Sequence, residues 1–327
     1  IFKNNNFIDI KKILGKTENL EQEAINLLQR QKNKYHHFDL IYNKNNIELI
    51  KNNNPLLEVL NVIWLLRGED VNKINTIMKK YCSKKLNDSN LINKVDKYKM
   101  DYVDKYKLSL MFLLAHYYRE QKLYYSFNTF CYLSSGIVGN FIELCRKTFL
   151  YANFEDPDNL INNGTINSVL QNKATKDIAQ TELQMISRIP RYGGYIYRFI
   201  LNLGNIFRQY HIDPLIKYPE NNQFSVNYNS IKDDEIKNAF RFALRWSVIQ
   251  KKPNPQKLSS EKNKRDVFTI SRILTPIFEI SYRTRGGYSL ENYNEKDIST
   301  LMREENVKPK FKIDKIKKIN QIEIDFE

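Results

Sequence analysis

The stretch Tyr124–Ala152, YYSFNTFCYLSSGIVGNFIELCRKTFLYA, decides how the rest of the chain is read. Two Phe/Leu-rich runs meet at a small-residue elbow, Ser134-Ser135-Gly136-Ile137-Val138-Gly139. After the elbow, Phe141, Leu144, Cys145, Thr148 and Phe149 recur at i, i+3, i+4, i+7 and i+8, the apolar stripe of an amphipathic helix. The spacing predicts two helices joined by a glycine-containing hinge.

Working outward from the elbow, the upstream sequence is helical in pattern. Pro55 opens LLEVLNVIWLLRG and Gly68 closes it at the C′ position. Asp70 caps a second helix from Val71, and an apolar helix runs from Val103 to Gln121. Residues 1–54, rich in Asn and Lys with short apolar groups, carry no pattern that assigns a fold. Residues 55–154 are thus expected to form one helical domain.

Downstream, NFEDPDNLINNGT carries Pro157, Gly164 and other turn formers, so a linker is expected at 155–175 and a second domain at 176–290. There Asp177–Ile189 is helical until Pro190 and Gly193-Gly194 break it, and Tyr195–Tyr210 forms a second amphipathic helix. Gln223–Val226 reads as a strand. Asp233-Asp234-Glu235 places acid at the start of the helix IKNAFRFALRWSVIQ. A basic loop, 251–265, and a second strand, Val267–Ile270, follow, and Ile277–Tyr282 is expected to add another. Helix, helix, strand, helix, basic loop, strand is the order of a winged helix-turn-helix, with the loop as its wing. Residues 291–327 are expected to be a basic tail, serving as an edge strand or a docking arm.

Composition sets the class. Apolar residues make up 42% of the chain, enough to fill cores, and only 10 Gly and 9 Pro argue against a turn-rich β architecture. The expected fold is mainly α. A net charge of +15 favours a polyanionic partner, nucleic acid first, although an Asn/Lys/Ile-rich composition raises the lysine count by itself. Cys82, Cys131 and Cys145 share no metal-ligand spacing and read as buried thiols of a reducing cytoplasm. The longest apolar run, Leu108–Ala115, is far below the roughly 20 residues that span a bilayer, and no signal peptide is visible. Because the chain starts at Ile1, it is expected to be part of something longer.

No catalytic or metal constellation emerges. Leu14-Gly15-Lys16-Thr17 echoes the end of a phosphate-binding loop, but Ile10 occupies the position where that motif needs its first Gly. His36, His37, His116 and His211 lack ligand spacing, and His116, inside an apolar helix, is expected to be a core histidine. The basic features carry more. Residues 183–212 hold Arg188, Arg191, Arg198 and Arg208 without any Asp or Glu, interleaved with Tyr192, Tyr195 and Tyr197. The wing holds Lys251, Lys252, Lys257, Lys262, Lys264 and Arg265 against Glu261 alone. Arg283 and Arg285 are a further candidate phosphate anchor.

The segment Leu133-Ser134-Ser135-Gly136-Ile137-Val138-Gly139-Asn140-Phe141-Ile142-Glu143-Leu144 resembles the L-S-G-G-N-P-R-x-F-L-x-L segment of a helical lid. That lid belongs to AAA+ and STAND ATPases of the origin-initiator, ORC/CDC6-like, type. The resemblance implies a helical lid-like bundle followed by a winged-helix domain that binds DNA, over roughly residues 55–290, and a setting in bacterial anti-phage defence. The family's Asn-Pro-Arg is Ile137-Val138-Gly139 here, so the arginine that would reach a nucleotide's γ-phosphate is missing at Gly139, and Arg146 lies two turns further on. No nucleotide-binding core is visible, and ATP is expected only in a domain beyond this chain. The resulting expectation is the nucleic-acid-binding C-terminal part of an initiator-like ATPase, with duplex DNA as the expected partner. The alternative is an interaction module that docks an ATPase or effector protein.

Overall fold

The computed structural model describes residues 9–30, 54–83, 106–213, 220–252, 266–283 and 291–310. In chain order the elements are α1 (Ile10–Leu14), α2 (Leu20–Arg30), α3 (Pro55–Leu66), α4 (Val71–Ser83), α5 (Lys107–Tyr117), α6 (Phe127–Leu133), α7 (Val138–Glu155), α8 (Pro157–Asn163), α9 (Ser168–Ser187) and α10 (Gly193–Ile212). They continue with β1 (Gln223–Val226), α11 (Asp234–Arg245), β2 (Ile249–Lys251), β3 (Asp266–Ile270), α12 (Thr275–Phe278), β4 (Glu291–Tyr293) and α13 (Glu295–Arg303). The described protein is mostly helical with one small mixed sheet. Among the described residues, no helix is long and apolar enough to cross a membrane.

The chain divides into two compact units, one of residues 1–18, 123–210 and 220–311, the other of residues 19–122, 211–219 and 312–327. The second is a helical bundle in which α3 packs on α2, α4 and α5. Pro55 stands at the start of α3, the Asn54 side chain accepts the Leu56 N–H, and Gly68 follows the helix with φ +86°. Asp70 accepts the Lys73 N–H at 3.0 Å, the expected cap of α4. Ala24, Leu27, Leu60, Ile63, Ile74, Leu110 and Phe112 fill the core. His116, expected in the core, is not there. His116 is exposed near the C-terminal end of α5, whereas His211 is fully buried, edge-on to Phe112 with ring centroids 5.5 Å apart.

In the first unit the elbow forms as predicted. Ser135 (φ +53°) and Gly136 (φ +80°) are both left-handed, and Ile137 N–H closes the turn on the Ser134 carbonyl at 2.8 Å. The predicted stripe is inside at Leu144, Cys145 and Thr148, with Ala152 extending it and Phe141 and Phe149 half-buried. Cys131, expected inside, is exposed, because it lies on the outer side of the short helix α6.

Across the expected linker the chain is helical. Pro157 starts α8, Gly164 ends it in a left-handed conformation, and the Asn167 side chain caps α9 through the Val169 N–H. Helix α9 then packs on α7, so the helices on both sides of 155–175 share one core. Two adjacent side chains of α9 pin the segment before α6. Gln171 Oε1 accepts the Ser126 N–H at 2.8 Å, and Asn172 Oδ1 accepts the Tyr124 N–H at 2.9 Å. Gln171 Nε2 also donates to the carbonyls of Ile166 (2.8 Å) and Leu14 (3.1 Å), which satisfies a buried amide completely and holds α1 in place.

The sheet has the order β2-β3-β1-β4. β1 and β2 both pair antiparallel with β3, and β4 runs parallel to β1. Its helix-facing side is aromatic: Phe224 stacks on Phe268, and Phe240 of α11 and Phe199 of α10 meet that pair edge-on. Ile277–Tyr282 is not the expected strand. Pro276 opens the short helix α12, and Glu279 turns left-handed (φ +51°), held by Arg208 at 2.7 Å and Lys176 at 3.2 Å. The start of the expected basic tail is also folded: β4 completes the sheet, and α13 packs on α11.

Candidate nucleic-acid interface

Helix α11 is built to present a surface. Asp233 caps it by accepting the N–H groups of Glu235 (2.9 Å) and Ile236 (3.2 Å), and these bonds hold its carboxyl below the usual range. Arg303 of α13 pairs with Asp233 at 3.1 Å and Glu235 at 3.2 Å, fixing the same end. Ile236, Ala239, Phe240 and Ala243 face the core. Lys237, Arg241 and Arg245 recur at i, i+4 and i+8 and share the opposite side, Lys237 half-buried and both arginines exposed. From Ile236 to Lys252 the chain has five cations, these three with Lys251 and Lys252, and no acid.

The hairpin after α11 continues this surface. Lys251 is exposed and pairs with Asp266 across β2 and β3 at 2.9 Å. Lys252 is half-buried, and its N–H donates to the Val267 carbonyl at 2.8 Å. Burial, and then the nearby Arg272 guanidinium, push the Lys252 ammonium down to about 8. Arg272 is itself lowered by burial.

The other candidates divide. Arg188 ends α9 and is exposed. Arg191 is exposed with φ +69° beside Tyr192, whose ring packs 5.0 Å from Phe242 of α11, so Arg191 belongs to the α11 side. Arg198 is committed inward: its Nε donates to the Met302 carbonyl at 2.9 Å. Arg283 lies on a segment fixed elsewhere. Its carbonyl accepts from Asn222, and the neighbouring Tyr282 stacks on Tyr132 of α6. Lys257, Lys262, Lys264, Arg265 and Arg285 lie outside the described residues. The stripe Lys237–Arg241–Arg245 was missed from sequence, although its i, i+4, i+8 spacing on a predicted helix was a readable signal.

The nucleotide motifs can be placed as well. Gly15 ends the five-residue helix α1 with φ +76°, and its carbonyl and that of Lys16 accept the N–H groups of Phe127 and Asn128 at the start of α6. A phosphate-binding loop instead follows a strand and turns its own N–H groups inward. Gly139 lies exposed in the first turn of α7 with open space around its Cα, and Arg146 is tied to Glu143 at 2.5 and 2.8 Å. Among the described residues, no group of three or more His, Cys, Asp or Glu is placed to hold a metal ion.

The described residues thus join the helix pair of the elbow to a small helix-and-sheet module that carries a cationic helix. The sequence model of the ORC-CDC6-like family matches residues 2–290, most of the chain, and the protein belongs to that family. No curated protein and no solved structure matches it.

Proposed function

We propose that this protein is a nucleic-acid-binding member of its family, with double-stranded DNA as the partner and a winged helix as the binding module. The acid-free run of five cations from Ile236 to Lys252, spread over one helix face and the hairpin after it, carries the reading. The pairing of β1 with β3 and β3 with β2, with α11 leading into β2, supports a winged helix in which α11 is the recognition helix. The 3-10 turn Tyr228–Ser230 stands where a longer helix usually precedes it. The family resemblance supports a role in anti-phage defence, with nucleotide sensing at the lid degenerate at Gly139.

A salt titration of duplex-DNA affinity tests this. Each phosphate neutralised contributes a slope of about −0.9 in log K against log salt, so the five cations predict a steep dependence. The triple variant Lys237→Ala, Arg241→Ala, Arg245→Ala should flatten it by about three phosphates' worth. A slope near zero for the parent protein sinks the proposal.

A protein-docking role is favoured by a different observation. Val138 is 70% exposed and Ile142 58%, adjacent on the first turns of α7. Co-purification of a partner that is lost on Val138→Asp with Ile142→Asp supports it. Unchanged recovery rules it out.

A further inference from the structure

Trp246 is the largest side chain among the exposed apolar residues, at 59% exposure, and it makes no ring contact among the described residues. It caps α11 directly after Arg245, five residues before Lys251 at the end of β2. Its backbone is rigid. Ser247 N–H donates to the Leu244 carbonyl at 3.0 Å and Val248 N–H to the Ala243 carbonyl at 2.9 Å, the paired bonds of a Schellman end. Ser247 holds the left-handed position (φ +55°) where glycine is usual, and buried Val248 anchors the far side. The indole is thus held out of the core by a fixed turn, surrounded in sequence only by cations and neutral residues from Ile236 to Lys252. A protein partner for an exposed indole would add apolar neighbours around it; Arg241, Arg245 and Lys251 instead favour a polyanion whose bases offer flat apolar faces.

We infer that Trp246 stacks on a nucleobase, which makes it the base-contacting residue of the interface and gives the protein a preference for DNA with an unpaired base over a fully paired duplex. This rests on the nucleic-acid reading above and goes beyond it, because phosphate contacts from the cations carry no such preference. A base in an intact duplex presents only its edge to a groove, whereas an unpaired base exposes the face an indole can cover.

Only two tryptophans exist, and Trp64 is 7% exposed, so Trp246 dominates any change in emission on binding. The full chain is titrated with a labelled short duplex and with the same duplex carrying an internal unpaired bubble, following label anisotropy and indole emission together. Expected are quenched emission, tighter binding of the bubble, a loss of roughly tenfold in bubble affinity for Trp246→Ala, and near-parental affinity for Trp246→Phe, which keeps a ring to stack. Binding with unchanged emission, equal affinity for both probes, or a Trp246→Ala variant as tight as the parent overturns the inference and leaves the nucleic-acid reading standing. Absence of binding to either probe overturns both. Because Trp246 is exposed, neither variant removes core packing, and a thermal melt superimposable on the parent's checks that the fold is kept.

Discussion

The Tyr124 hydroxyl donates to the carbonyl of Ile280 at 2.8 Å, joining the start of the elbow stretch to a residue 156 positions later. The tyrosine is fully buried, and burial holds its hydroxyl well above the usual range, which favours the neutral, donating form. The bond ties the lid-like helices to the turn that follows β3 and α12. With the packing of α9 on α7 and on α12, it helps hold the segments on both sides of the turn formers in one compact unit.

Tyr124→Phe should therefore destabilise this unit by about 1–2 kcal/mol, the cost of a buried carbonyl losing its donor while ring packing is retained. Chemical denaturation measures it. A midpoint unchanged from the parent would show that water replaces the hydroxyl.

Gln171 is 1% exposed and satisfies three backbone groups at once. Gln171→Leu keeps the volume but strands the Ser126 N–H and two carbonyls, and should cost about 2–4 kcal/mol. Gln171→Glu should be no better, because a carboxylate can accept from Ser126 but faces the carbonyls of Leu14 and Ile166. Their melting temperatures, compared with the parent, decide this.

Adjacent glycines should behave oppositely. A Cβ on Gly193 would lie 2.3 Å from the Ser187 carbonyl oxygen, a backbone atom with no freedom to move aside, whereas a Cβ on Gly194 meets nothing within 4 Å. Gly193→Ala should destabilise by about 1–3 kcal/mol. Gly194→Ala, exposed at the start of α10, should be neutral or stabilise by up to about 1 kcal/mol. Equal effects at the two sites would contradict the close approach of α10 to the end of α9.

The proposed DNA-binding role of Lys252 predicts a pH-dependent affinity. With its ammonium held near 8 instead of the ordinary lysine value, it is charged at pH 7 and largely neutral at pH 9. DNA affinity at constant ionic strength should fall between these pH values, and Lys252→Arg should remove most of the fall because a guanidinium keeps its proton. Stability moves the other way. The unfolded lysine holds its proton up to about 10.5, so the unfolded state binds more protons between about 8 and 10.5, and stability contributed by this group rises with pH there. An affinity that is flat from pH 7 to 9 would remove Lys252 from the interface.

Much of this protein was legible without coordinates. Pro55, Gly68 and Asp70 act locally and fixed the ends of α3 and α4. The elbow needed only two residues able to turn left-handed, and the strands at Gln223–Val226 and near Val267–Ile270 followed from short apolar runs bounded by turns. What failed was decided at a distance. Glu279 turns the chain because Arg208 and Lys176 reach it from α10 and α9, so Ile277–Tyr282 cannot extend as a strand. The linker composition of residues 155–175 was read correctly as turn-forming at Pro157 and Gly164, yet packing of α9 on α7 makes the segment part of one core. Sequence alone established the charge of the basic segments, because net charge is additive along the chain. Only the tertiary structure assigned each cation a side: Arg198 spends its donor on the Met302 carbonyl, while Lys237, Arg241 and Arg245 line the outer face of α11, because burying Phe240 against Phe268 turns that face outward.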